Sequence, residues 1–234
     1  MKKKDVFTFD ERFHVYRLNG EIIPSVTKII RTVAGRDLSH IPPDVLKKAA
    51  ERGKAIHKEI ETGVIESMEA KWIEQNIVRA SCRFEQQFYH TVDDFTYAGT
   101  ADIVASDTLF DIKTQREIDI LSWTLQLNLY NLFFKKKYLK VLHTPNTGNF
   151  FIVDIPLLPM QQIQEVISTY LQGAQLREDF MNSKEGKKEL VEVPPLALNL
   201  EVVEQNIGTL NTNAAQLLER VKERLAFYSI DRYS

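Results

Sequence analysis

Three residues carry the first chemical signal: Asp102, Asp111 and Lys113, in the segments Tyr97-Ala98-Gly99-Thr100-Ala101-Asp102 and Leu109-Phe110-Asp111-Ile112-Lys113-Thr114. Both segments are rich in aromatic and β-branched residues, which predicts strands over 97–105 and 108–114. Residues two apart on a strand leave the same face, so the Asp111 carboxylate and the Lys113 ammonium point together. If the two strands pair as a hairpin through Ser106-Asp107, Asp102 falls opposite or nearly opposite Asp111, with about 5 Å between the Cβ atoms. Two carboxylates that close repel, and a bound divalent cation relieves the repulsion. Hard oxygen ligands with open water positions suit Mg²⁺ or Mn²⁺. A lone Asp-x-Lys is ordinarily an edge strand with a surface ion pair. Here Phe110 and Ile112 alternate with the charged residues, which gives the strand one apolar and one charged face, and Gly99 allows a turn or a close approach just before Asp102.

The flanking elements must position these groups. Pro42-Pro43-Asp44 opens a helix of about 20 residues ending near Gly63. On it His57 and Glu61 lie four apart on one face, with Ile56 and Ile60 on the neighbouring face toward a core. A second helix over 122–137 carries Gln126 and Tyr130 four apart, beside an apolar stripe of Leu125, Leu129, Leu132 and Phe133. Around these lie a β-hairpin over 5–23 with its Asn19-Gly20 turn, a short helix over 25–33 capped by Ser25, and a helix from Ser67 to about Ala80. Further strands are expected over 83–90, 138–143 and 149–155, the last two around the turn Pro145-Asn146-Thr147-Gly148, followed by a helix over 159–181. Residues 182–195 read as a linker, and 200–227 as a helix with apolar residues at Val203, Ile207, Leu210, Ala214, Leu217 and Val221. Helices and strands in this order imply an α/β core with a mixed sheet.

At 234 residues, 44% hydrophobic and 26% charged, the chain suits one soluble globular domain with room for an appendage. No apolar run reaches the roughly 18 residues of a membrane span, and the basic start Met1-Lys2-Lys3-Lys4 leads into no apolar signal region, so a cytoplasmic location is expected. The single cysteine, Cys82, excludes an internal disulfide and an all-cysteine metal cage. A net charge of -2 is neutral on nucleic acid, but basic residues cluster at Lys47, Lys48, Arg52, Lys54 and Lys58, and again at Lys135, Lys136, Lys137 and Lys140.

Taken together, Gly-x-Ala-Asp at 99–102, Asp-Ile-Lys-Thr at 111–114, the preceding Arg52-Gly53-x-x-x-His57 helix and the following Gln126-x-x-x-Tyr130 helix resemble the RecB-like, lambda exonuclease-like branch of the PD-(D/E)XK nucleases. The likeness runs in order over roughly residues 50–155, and Phe13-His14-Val15-Tyr16 through Pro24-Ser25-Val26-Thr27 is similar to the start of phage and prophage nucleases of this kind. It implies a restriction-endonuclease-like core (about 44–181) within a single domain over 1–195, with the hairpin over 5–23 and a C-terminal helical extension over 196–234. It also implies a metal held by His57, Asp102, Asp111 and the Ile112 carbonyl, with Glu85 available for a second metal site, one or two ions staying open, and Lys113 as catalytic lysine. Gln126 and Tyr130 would position the lysine and the DNA backbone, and Arg52 and Lys54 would join them in binding nucleic acid. The expected activity is Mg²⁺- or Mn²⁺-dependent DNA hydrolysis, foremost by an exonuclease of phage-type recombination or DNA processing in a bacterial or phage-infected cell, with endonuclease cutting, polarity and an RNA substrate left open. Single- and double-stranded DNA both stay open as substrates. A single-strand annealing or recombination protein is the implied partner. Departures are mild: Ala101-Asp102 replaces Pro-Asp, and the second acid is Asp111 rather than Glu. The iron–sulfur members need four cysteines, so no cluster is expected here.

Two rival readings follow from the same residues. A catalytically inactive DNA-binding or scaffold protein would keep the fold, but such decay usually removes an acid or the lysine, and none is missing. The 4-3-4-3-4 apolar spacing of 203–221 also fits an interaction helix or homo-oligomer interface, although it spans under three heptads and contains Gly208.

Overall fold

The computed structural model describes residues 5–35 and 41–182. The expected C-terminal helix and extension lie outside them, as does all but the first residue of the expected linker. The chain opens with β1 (Phe7–Asp10), β2 (Val15–Leu18) and β3 (Glu21–Ile23), an antiparallel sheet in that order. Asn19 and Gly20, at φ 53° and 90°, turn the chain between Leu18 and its partner Glu21. The expected hairpin is therefore two hairpins sharing β2. Helix α1 (Val26–Ala34) begins at Ser25, whose hydroxyl accepts from the Lys28 N–H. Helix α2 (Pro43–Thr62) starts on Pro43 and stops at Gly63, whose φ of 74° turns its N–H back to Glu59 O at 2.9 Å.

Helix α3 (Met68–Gln75) starts at Ser67 as expected but ends early. Asn76 closes it twice, donating its side-chain amide to Trp72 O and its backbone N–H to Ile73 O, and only a 3-10 turn over Arg79–Ser81 follows. The chain then builds β4 (Arg83–Val92), β5 (Phe95–Val104), β6 (Thr108–Lys113), helix α4 (Ile120–Phe134), β7 (Tyr138–His143), β8 (Phe151–Ile155) and helix α5 (Met160–Asn182). The five strands form one sheet in chain order, antiparallel except for the β6–β7 pair, whose parallel crossover is α4. The architecture is α/β, with a central mixed sheet flanked by helices and a separate N-terminal antiparallel sheet.

Two apolar cores sit on the two faces of the central sheet. One gathers Val26 and Ile29 of α1, Trp123, Leu125, Leu127 and Leu129 of α4, and Ile163 and Val166 of α5 against β5–β8. The other packs Ile56 and Ile60 of α2 and Ala70 and Ile73 of α3 against Ile103, Phe110, Ile112 and Leu142. Each fully buried large side chain contributes roughly 1.5–3 kcal/mol. Strand β6 is the middle strand of five and is buried on both faces, so Asp111 and Lys113 do not form an edge ion pair. Helix α4 is apolar nearly all round rather than along one stripe. Phe133, expected in that stripe, is 45% exposed. No helix among the described residues is long and apolar enough to cross a membrane.

Candidate active site

The site forms where β5 and β6 part. Their pairing is limited to Ile103↔Phe110 and Val104↔Leu109. Continuing that register sets Asp102 opposite Asp111, as the hairpin geometry predicts. There a side chain takes over from the backbone ladder: the Ile112 N–H donates to Asp102 Oδ2 at 2.7 Å, a charge-assisted bond.

Strands β4 and β5 also change face at this point. Ala101 belongs to the α1/α4/α5 core and Ile103 to the α2/α3 core, although residues two apart on a regular strand share a face. Phe84 and Phe88, four apart on β4, are divided in the same way. Between them Glu85, which the flanking pairs Phe84↔Ile103 and Gln86↔Ala101 set opposite Asp102, has φ 48°. A left-handed glutamate costs on the order of 1–3 kcal/mol, and such strain clusters at functional sites. The result brings Glu85 and Asp102 to His57 of α2: His57 Nδ1 lies 3.5 Å from Glu85 Oε1 and 3.6 Å from Asp102 Oδ1. One ligand atom from each of these three residues falls within 4.8 Å of the others.

Helix α4 approaches from the other side. Gln126 donates its amide to Asp111 Oδ1 at 2.8 Å, while its carbonyl accepts from Lys113 Nζ at 2.8 Å. Lys113 Nζ also stands 2.7 Å from Asp111 Oδ2. One glutamine thus fixes both the acid and the base of the Asp-Ile-Lys strand. Gln126 is held in turn at 3.1 Å by Tyr130 Oη.

Charge is expensive here. Burial pushes the Asp111 carboxyl up to about 6, with Lys113 opposing and Asp102 adding to the shift. Burial likewise raises Asp102, against the pull of His57. For His57 burial acts to lower the value, but Asp102 and then Glu85 outweigh it and push the imidazole up to about 9. With no metal bound, a protonated His57 between two acids balances their charge, and a cation bound at its ring nitrogen would displace that proton.

Carboxylate oxygens from Glu85, Asp102 and Asp111 with one imidazole make a mostly hard, anionic set. Asp111 Oδ2 is buried yet accepts no hydrogen bond, its neighbour Lys113 Nζ being near but out of line. These residues fit a divalent ion. His57, Glu85 and Asp102 are gathered directly, whereas Asp111 is turned toward Lys113 and Gln126.

Other expected residues fall differently. Tyr130 is only 4% exposed, its ring packed on Phe88 and against Gly99, so it orients Gln126 and does not present a surface to DNA. Arg52 is half-buried and committed inside the protein, donating to Thr114 O at 2.9 Å and Thr144 O at 3.1 Å and pairing with Glu69. Its guanidinium ties α2 to the ends of β6 and β7, a structural duty the sequence did not suggest. Lys54 is exposed. Glu61 turns to Lys58 at 2.8 Å rather than to the site. The lysines at 135–137 sit by the start of β6, at the end away from Lys113, with Lys136 Nζ reaching Ser106 O, while Lys140, level with Phe110 on the neighbouring strand, pairs with Asp154. They do not flank the site.

The N-terminal sheet does flank it. Strand β5 is not covered by β6 at Ala98, whose N–H donates instead to Pro24 O. Tyr16 of β2 meets Thr100, two residues before Asp102, with Oη and Oγ1 2.8 Å apart. Lys58, raised chiefly by Glu61, also feels Glu11 of the β1–β2 turn and Glu85. No pattern in the sequence signalled this placement.

No family model matches this chain, and no curated protein matches it. Among solved structures, the crystal structure of SSO0001 aligns over 74% of this chain and 90% of that chain, with 15% identity and a TM-score of 0.47.

Proposed function

We propose that this protein is a metal-dependent nuclease of the PD-(D/E)XK type, in its RecB-like, lambda exonuclease-like branch, that hydrolyses DNA phosphodiester bonds. The observation that carries the reading is the shared Gln126 clamp, which holds buried Asp111 and Lys113 side by side where Asp102 faces them and His57 and Glu85 close the site. A surface ion pair needs no such clamp, no buried acid and no left-handed glutamate.

Hydrolysis requires a water to attack phosphorus, charge relief as the pentavalent phosphorane forms, and a proton for the departing 3′ oxygen. When bound, a divalent ion supplies an acidified water and screens the phosphate charge. His57, Glu85 and Asp102, with Asp111 and the Ile112 carbonyl, would hold it, and the predominance of oxygen donors favours Mg²⁺ or Mn²⁺. Lys113 orients the attacking water and stabilises the negative charge that develops on the phosphoryl oxygens. Gln126 keeps that ammonium from collapsing onto Asp111 alone, and Asp102 holds the Ile112 backbone in place. The products are a 5′-phosphate and a 3′-hydroxyl. The inactive scaffold reading fares worse, because every acid and the lysine are present and mutually positioned.

The test is incubation of end-labelled single- and double-stranded DNA with Mg²⁺, Mn²⁺ or EDTA. Cleavage with either ion, none in EDTA and none with Lys113→Ala is the expected result. Full activity in purified Asp111→Ala protein would sink the assignment.

A further inference from the structure

The turn between β1 and β2 presents Arg12 and Phe13 to solvent, on the sheet that Tyr16 ties to Thr100 beside the site. Phe13 is 67% exposed although its backbone is fixed, its N–H donating to Asp10 Oδ1 at 3.1 Å. The Arg12 guanidinium stands 5.2 Å from the Phe13 ring centroid. Behind them Phe9 stacks on Tyr16 at 4.5 Å, and His14 packs edge-on against Phe9 at 5.1 Å, so the turn is braced against β2. Tyr16 in turn is bonded to Thr100, two residues before Asp102. Phe13 is three residues from Tyr16, a reach of at most about 11 Å along the chain.

We propose that Arg12 and Phe13 form a contact for single-stranded DNA at the mouth of the site, with Phe13 stacking on a base and Arg12 meeting the backbone phosphate. The inference rests on the nuclease reading for its choice of ligand. An exposed aromatic ring on a braced turn, with a cation over it, offers the two features that single strands bind through, a π-face for a base and a charge for a phosphate. A duplex keeps its base faces stacked internally, so only an unstacked base can use the ring. Neither group reads base edges, so the contact is independent of sequence. Asp10 is committed to the turn, whereas Arg12 and Phe13 are exposed.

The experiment uses the full chain carrying Lys113→Ala, which prevents cutting, and a fluorescein-labelled single-stranded oligonucleotide of mixed sequence read by anisotropy. Adding Phe13→Ala should weaken binding about 5- to 150-fold, the usual range for one stacked base, and Phe13→Trp should restore it. Binding of a blunt duplex should change less than about threefold, and Arg12→Ala should lower the slope of log affinity against log salt by about one. Phe13 is on the surface, and equal melting temperatures exclude a folding defect. Single-strand affinity within twofold of the parent in Phe13→Ala, or no binding by the parent, overturns the proposal. Cleavage by the unsubstituted chain is scored separately. Phe13-dependent binding without any cleavage would keep this contact and remove the nuclease reading, whereas cleavage with Phe13-independent binding would do the reverse.

Discussion

The Ile112 N–H donates to Asp102 Oδ2 at 2.7 Å, while the other oxygen of the same carboxylate lies 3.6 Å from His57 Nδ1. One acid therefore closes the gap in the β5–β6 ladder and contributes to the candidate cation site, and two substitutions separate the roles. Asp102→Ala orphans a backbone N–H and should cost about 1–3 kcal/mol without metal. Asp102→Asn keeps an acceptor and removes a charge that burial and Glu85 disfavour, so the metal-free protein should be at least as stable as the parent. Millimolar Mn²⁺ should raise the melting temperature of the parent and leave both variants unmoved. A full Mn²⁺ response in Asp102→Asn would remove Asp102 from the ligand set.

Arg52 and Lys54, both expected to bind DNA, should separate in the same way as their surroundings. Arg52→Ala leaves two strand-end carbonyls and Glu69 without their cation, a loss of about 1.5–3 kcal/mol in urea unfolding. Its effect on the salt dependence of oligonucleotide binding should be nil. Exposed Lys54→Ala should stay within about 0.5 kcal/mol of the parent yet lower the salt slope by about one. The reverse pattern would return Arg52 to the DNA-binding surface.

What was legible in the sequence was chiefly local. Ser25 and Gly63 cap the helices they were expected to bound, and Ser67 starts a helix as expected, because capping depends on a few neighbouring backbone groups. The same-face placement of Asp111 and Lys113 follows from strand geometry alone. The position of Asp102 opposite them depended on one short turn, which the chain honours. The left-handed Glu85 had no local sign, since glutamate is not a residue that favours that conformation. It is imposed by two strands changing face together. The basic cluster at 135–140 fitted either a solvated face or a grip on nucleic acid, and only the parallel β6–β7 topology shows that Lys135, Lys136 and Lys137 lie by the start of β6, away from Lys113. Tyr130 is more enclosed than its spacing suggests for a related reason. The spacing of α4 marks one apolar stripe, but the helix crosses between two β-strands under α1 and α5 and is buried almost throughout.

Gly99 is the reason Tyr130 can be buried where it is. A Cβ at this position would stand 2.8 Å from Tyr130 Cε1 and 3.0 Å from Phe88 Cε1, both rigid ring atoms in the core. Gly99→Ala should therefore displace the Tyr130 ring, at a cost of about 1–3 kcal/mol, and pull its hydroxyl from Gln126. Since Gln126 aligns Lys113 with Asp111, the cleavage rate should fall about 10- to 100-fold while the Mn²⁺-induced stabilisation persists. Loss of stability with an unchanged single-turnover rate would break the link from Gly99 to Lys113.

His143 offers a pH test outside the site. It is 1% exposed at the end of β7, packed on Trp123 and Phe151, with Nε2 2.7 Å from Gln115 O. Burial lowers its proton affinity, and the Gln115 carbonyl offsets this only in part. The folded chain thus prefers the neutral ring. Its stabilising contribution is complete above the ordinary histidine value of about 6.5 and is lost as the pH falls below it, because the unfolded chain then binds a proton that the folded chain resists. Asp102 and Asp111 run the other way, since raised carboxylates regain stability as they protonate. Comparison with His143→Gln, which keeps a donor for Gln115 O, cancels their contribution. The urea midpoint of the parent minus that of the variant should therefore decline from about pH 7.5 to about pH 5.5. A flat difference would mean that His143 titrates alike in the folded and unfolded chains, and that its burial leaves the proton unopposed.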